Sequence, residues 1–122
     1  MLDKNVLIID DDAIILRMVT LFLQKECNVF AVNSGEAGLE FLDKNHVDLV
    51  FLDYEMPGMK GPEVFAKIRE REACKELPIV FMTGASDQET IASCNQLNPY
   101  AYLEKPVSCD KLKQIVAEAF VQ

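Results

Sequence analysis

The chain has 122 residues, half of them hydrophobic and 26% charged: enough for one globular domain around one core (residues 1–122), and too few for two. A net charge of −8 without any basic run argues against a nucleic-acid surface, and Arg17 interrupts the greasiest segment before it reaches the length of a membrane span. Four widely spaced cysteines (Cys27, Cys74, Cys94, Cys109) and a single histidine, His46, make a zinc site a poor fit and point to reduced, packing cysteines in a cytoplasmic protein.

Met1-Leu2-Asp3-Lys4 lacks the layout of a secretory signal and runs directly into Asn5-Val6-Leu7-Ile8-Ile9, a β-branched run that predicts a buried strand. It stops at Asp10-Asp11-Asp12, the last of which is placed to cap a helix. In that helix Ile15, Met18, Val19, Phe22 and Leu23 form one apolar stripe. Asn28 to Val32 reads as a second strand. Asn33-Ser34-Gly35-Glu36 then starts a helix burying Gly38, Leu39 and Leu42. Val47 to Leu52 is a third strand, ending in Asp53 and the Met56-Pro57-Gly58 turn. Gly61-Pro62 opens a helix that buries Val64, Phe65 and Ile68 and carries Lys67, Arg69, Glu70 and Arg71 on its wet side. Leu77 to Met82 is a fourth strand, closed by Thr83-Gly84-Ala85. Ser86-Asp87-Gln88-Glu89 is a capping-box pattern for a helix with Ile91, Cys94 and Leu97 on its apolar face. Tyr100 to Leu103 is a short fifth strand before Glu104-Lys105-Pro106, and Ser108 caps a last helix with Leu112, Ile115, Val116, Ala119 and Phe120 at helical spacing. His46 falls in a helix-to-strand connection and reads as a surface residue.

Strands alternating with helices, five of each, predict a doubly wound α/β domain with a parallel sheet covered on both faces. Ligands of such sheets bind outside the carboxyl ends of the strands. At those ends stand Asp10 and Asp11, Asp53, Thr83 and Lys105. Singly, each has an ordinary reading: a helix cap, a turn residue, a strand-end hydroxyl, a solvated charge. Together they occupy matching ends of four strands. Three converging carboxylates repel one another unless a cation is held between them, and hard oxygen donors at an open site suit Mg²⁺, with Mn²⁺ as the alternative. A hydroxyl and an ammonium facing them suit a phosphoryl group. An Asp nucleophile, a divalent metal and a Lys make a site for phosphoryl transfer through an aspartyl phosphate.

Val6-Leu7-Ile8-Ile9-Asp10-Asp11-Asp12, Leu52-Asp53-Tyr54-Glu55-Met56-Pro57-Gly58, Phe81-Met82-Thr83-Gly84 and Tyr102-Leu103-Glu104-Lys105-Pro106 together resemble the receiver domains of two-component response regulators, from Val6 to about Phe120. The resemblance implies a flavodoxin-like fold with strand order 2-1-3-4-5. It implies that Asp53 is the phosphoacceptor, and that Asp10, Asp11, an Asp53 oxygen and the Glu55 backbone carbonyl hold Mg²⁺. Lys105 would pair with the phosphoryl group, the Thr83 hydroxyl would bond one of its oxygens, and Tyr102 would be the switch aromatic. A cis Lys105–Pro106 bond and a rate-tuning role for Glu55 and Ala85 follow from the same likeness. The domain would be a signalling module rather than an enzyme with its own substrate. With no nucleotide-binding loop of its own, it would take its phosphoryl group from a sensor histidine kinase or a phosphotransfer domain. It would assist that transfer and its reversal, and signal to an effector through the fourth helix, fifth strand and fifth helix, without a membrane or nucleic-acid contact of its own.

Two features lie outside that pattern, and two readings compete with it. Asn98-Pro99 stands where many receivers have Gly-Ala, and Asn supplies the left-handed turn. Ile14 and Leu21 lie on the margin of the first helix, either as simple apolar excess or, with Pro106 and Val107, as a dock for a helix of the phosphodonor. An aspartate-based phosphohydrolase would share the acids, but Ile14 stands where its Asp-x-Asp-x-Thr motif needs Thr. A receiver acting only as an interaction module is the remaining alternative, set against the presence of Asp11, Asp53, Thr83 and Lys105.

Overall fold

The computed structural model describes residues 3–84 and 88–121. Five strands, β1 (Asn5–Ile9), β2 (Asn28–Val32), β3 (Leu49–Asp53), β4 (Ile79–Thr83) and β5 (Ala101–Glu104), form one parallel sheet in the order 2-1-3-4-5. Five helices connect and follow them: α1 (Ala13–Leu23), α2 (Gly35–Lys44), α3 (Gly61–Arg69), α4 (Gln88–Gln96) and α5 (Cys109–Ala119). Parallel neighbours need crossovers, and each crossover lays a helix on one face of the sheet. Residues of α2 and α3 pack with Leu7, Ile9, Val50, Leu52 and Phe81 on one face. Residues of α1 and α5 pack with Val6, Ile8, Phe51, Val80 and Met82 on the other. Successive strand residues thus serve opposite cores, which is why β1, β3 and β4 read as continuous apolar runs.

The local chemistry of the helix starts holds as expected. Asp12 caps α1 by accepting from the Ile14 N–H at 2.8 Å, Ser34 caps α2 through the Ala37 N–H, and Ser108 caps α5 through the Lys111 N–H. Gly58 turns with φ +78° and Asn98 with φ +56°, as the turn chemistry anticipated. The strand bounds shift slightly. Pro78 has no N–H to give a ladder, so β4 begins at Ile79, and β3 runs on to include Asp53. The capping box at Ser86 and the position of Ala85 lie outside the described residues.

One assignment is corrected. Arg69 is not on a wet face: one terminal nitrogen donates to the Cys74 carbonyl at 2.9 Å and the Leu77 carbonyl at 2.7 Å, with its guanidinium 4.8 Å from the centre of the Phe65 ring. It braces the unpredicted 3-10 turn Glu72–Cys74 that leads into β4. Arg71 likewise ties α3 to α2 through both oxygens of Asp43, at 2.7 and 3.1 Å. Cys27, Cys74 and Cys94 are buried and unbridged, and Cys109 is half-buried. Among the described residues no helix is long and apolar enough to cross a membrane.

Candidate functional site

The strand register assembles the site. Ile9 pairs with Leu52, so the next residues, Asp10 and Asp53, stand side by side at the end of the two strands. Asp53 in turn pairs with Met82, and Thr83 with Glu104, which sets Thr83 and Lys105 one step beyond. The buried polar or charged side chains among the described residues are Asp10, Asp53 and Thr83, all at this edge. Burying charge there is costly unless it is paired or used.

Lys105 supplies the pairing. Its Nζ stands 2.9 Å from Asp10 Oδ2 and 3.2 Å from Asp53 Oδ1, so one ammonium bridges two carboxylates. Asp10 Oδ1 accepts from the Asp12 N–H at 2.9 Å, and Asp53 Oδ1 from the Glu55 N–H at 3.2 Å. Burial, reinforced by the negative charge of Asp10, pushes the Asp53 carboxyl up to about 7, while Lys105 and the Glu55 amide pull against that rise. Burial would lower the Lys105 ammonium, but its bonds and charge pairing with the two aspartates outweigh it and raise it.

Carboxylate oxygens of Asp10, Asp11 and Asp53 lie within 4.8 Å of one another, with Asp11 exposed at the rim. Asp10 Oδ2 is fully buried and accepts no well-directed hydrogen bond, so the Lys105 ammonium is its counter-charge. Three hard oxygen donors, one of them short of donors, fit a small divalent cation. Asp53, Glu55, Gly84 and Lys105 line a cavity of about 340 Å³ over the acids. A larger one, about 650 Å³, adjoins it at Glu55 and extends along Tyr54, Lys60 and Thr90, but is lined by none of Asp10, Asp11, Asp53 and Lys105.

The other predicted residues fall as follows. Tyr102 on β5 is half-buried against the core, and the Lys105–Pro106 bond is cis. Thr83 is fully buried at the end of β4, where its carbonyl accepts from the Lys105 N–H at 2.8 Å. His46 is 80% exposed near the start of β3, at the opposite edge of the sheet from Asp53, where it pairs with Asp48 at 2.8 Å. Ile14 and Leu21 are 69% and 58% exposed, but Val107 is buried at 5% and belongs to the core, so it offers no docking surface. The amide of Glu55 was not foreseen as a partner of Asp53. A residue two past an Asp in a turn is the usual donor to its side chain, and that signal was present.

The chain belongs to the response regulator receiver domain family, whose model matches residues 6–117. It is similar to the two-component response regulator ARR3 of Arabidopsis thaliana, with 36% identity over 118 residues, covering 86% of this chain and 51% of that protein. It is 33% identical over 113 residues to the autoinducer 1 sensor kinase/phosphatase LuxN of Vibrio harveyi, covering 92% of this chain and 13% of that one. In structure it is similar to the chemotaxis protein CheY4 of Vibrio cholerae, with a TM-score of 0.90 at 25% identity over 98% of this chain and 100% of that one. The chain spans about half of the first relative and a far smaller part of the second. It is thus a receiver domain of the two-component signalling kind, and its relatives include regulators and a sensor kinase.

Proposed function

We propose that Asp53 accepts a phosphoryl group from a phosphohistidine on a sensor kinase or a phosphotransfer domain, in a reaction that requires Mg²⁺. The observation that carries this reading is the single ammonium of Lys105 bridging Asp10 and Asp53 beside Asp11, at the open end of the sheet. An Asp53 oxygen attacks phosphorus, a P–O bond forms, the P–N bond to the donor breaks, and the electron pair stays on the donor nitrogen. Asp10, Asp11, Asp53 and the Glu55 carbonyl would hold the cation. When bound, it neutralises charge on the transferring group and on the surrounding carboxylates. Lys105 then pairs with the phosphoryl group, and the Thr83 hydroxyl donates to one of its oxygens.

Movement of Thr83 towards that group, with Tyr102 turning inward behind it, is the switch that alters the surface of α4, β5 and α5 for an effector. The chain acts as a single receiver domain in the cytoplasm, assisting its own phosphorylation and dephosphorylation and turning over no separate substrate. On the donor side, Ile14 and Pro106, both exposed, receive a helix of the phosphodonor. Ile14→Ser should slow transfer from the kinase and leave small-molecule labelling normal; unchanged transfer from the kinase removes this contact.

The test is intact-protein mass after incubation with acetyl phosphate, with and without Mg²⁺, beside Asp53→Asn. A Mg²⁺-dependent gain of one phosphoryl group, absent in the variant, is the expected result. A gain that persists in Asp53→Asn would assign the acceptor elsewhere.

A further inference from the structure

Helix α3 begins against the peptide that carries Asp53. Gly61, its first residue, is buried, and its N–H donates to the Tyr54 carbonyl at 3.0 Å. A Cβ added at Gly61 would lie 2.6 Å from the Asp53 carbonyl oxygen, 2.7 Å from Tyr54 Cα and 2.9 Å from the Tyr54 carbonyl oxygen. All three are backbone atoms, so no side-chain rotation relieves the contact. Ordinary contacts begin near 3.4 Å, so helix and strand end would have to part by roughly half an ångström or more.

Neither side is free to yield. Asp53 is a ladder residue paired with Met82, and the Tyr54 N–H donates to the Met82 carbonyl at 2.8 Å. Val64, Phe65 and Ile68 hold α3 buried against the sheet. Gly61 is needed for space rather than for torsion, because its φ is not positive. Gly58 is the converse, with φ +78° and nothing within 4 Å of an added Cβ.

We propose that Gly61 is a positioning residue for the acceptor. By letting the first turn of α3 seat directly on the Asp53–Tyr54 backbone, it sets where the Asp53 carboxylate and the Glu55 amide and carbonyl stand. Any displacement passes to the 3.2 Å bonds that Asp53 Oδ1 makes with the Glu55 N–H and with Lys105. Misplacement on the order of 1 Å in such a site costs up to about a hundredfold in rate. The inference rests on Asp53 being the phosphoacceptor.

The experiment compares Gly61→Ala with Gly35→Ala. An added Cβ at Gly35, the first residue of α2, would crowd only side-chain atoms of Val64 and Met59, the nearest at 2.6 Å. Both variants are studied well below their melting temperatures, with Mg²⁺ affinity read by calorimetry and labelling by acetyl phosphate read by mass. Gly61→Ala should label at least about tenfold more slowly and bind Mg²⁺ at least about threefold more weakly. Gly35→Ala should stay within about twofold of the natural chain in both. Gly61→Ala matching the natural chain, or Gly35→Ala suffering the same losses, would overturn the proposal. Should Gly61→Ala fail to fold, NMR of the natural chain decides. The Gly61 amide should shift in step with those of Tyr54 and Glu55 as Mg²⁺ is added, and an unmoved Gly61 amide counts against the proposal. If the natural chain itself takes no label, the phosphoacceptor reading falls, and the Mg²⁺ and amide measurements still judge Gly61.

Discussion

Replacing Asp53 by Asn should make the metal-free protein more stable, and by an amount that grows with pH. The Asp53 carboxyl is 3% exposed and faces Asp10, and its pKa rises from an ordinary 3.8 to about 7. A raised folded-state pKa means that the folded chain holds this proton more tightly than the unfolded one. Between about pH 4 and 7 the folded state therefore binds more protons, and stability falls as pH rises through that window and levels off above it. Each pKa unit is worth about 1.4 kcal/mol, so the full difference is worth about 4 kcal/mol at pH 8 and about 2 kcal/mol at pH 5. Asparagine keeps the shape and carries no charge in either state, so the variant escapes this penalty. With an unfolding entropy of about 2.1 cal/mol/K per residue, 4 kcal/mol corresponds to roughly 15 °C in Tm, as a ceiling. Urea or thermal unfolding in a chelator at pH 5, 6.5 and 8 measures the gap between the two chains. Mg²⁺ should narrow it at pH 8 by binding the natural site more tightly. A gap that does not change with pH, or a variant less stable throughout, would refute the buried-charge account of this site.

Lys105→Met removes the ammonium shared by Asp10 and Asp53, and unfolding in a chelator at pH 8 should show a loss of roughly 3 kcal/mol, partly restored by Mg²⁺. Mg²⁺ affinity should weaken about tenfold for each pH unit below about 7 and level off above, because the cation must displace the Asp53 proton. Calorimetry in two buffers of different ionisation enthalpy tests this, and an affinity flat from pH 5.5 to 8 would contradict it. Arg69→Ala orphans the Cys74 and Leu77 carbonyls and strips the Phe65 ring, so urea unfolding should show a loss of about 2–3 kcal/mol. Arg69→Lys should recover only part of that, since an ammonium lacks the flat guanidinium that lies over the ring.

Hydrophobic period, cap chemistry and turn residues act over a few positions, and most of what is governed at that range was legible in the chain. The alternation of strands and helices, the caps Asp12, Ser34 and Ser108, and the left-handed Asn98 follow from neighbours within one turn of backbone. So does the placing of Asp10, Asp53, Thr83 and Lys105 at strand ends, because each apolar run gives way there to polar and turn residues. What lies between elements needed the assembled sheet. Register alone puts Asp10 next to Asp53, more than forty residues away, and lets one Lys105 nitrogen reach both. Depth alone decides that Arg69 braces a turn instead of facing water, and that Val107 joins the core while Ile14 does not. The close seating of Gly61 on the Asp53 backbone has no periodic signature either. Local patterns report which residues prefer burial or a turn, whereas the contacts that give a carboxylate its charge state arise only when separate strands and helices come to share one volume.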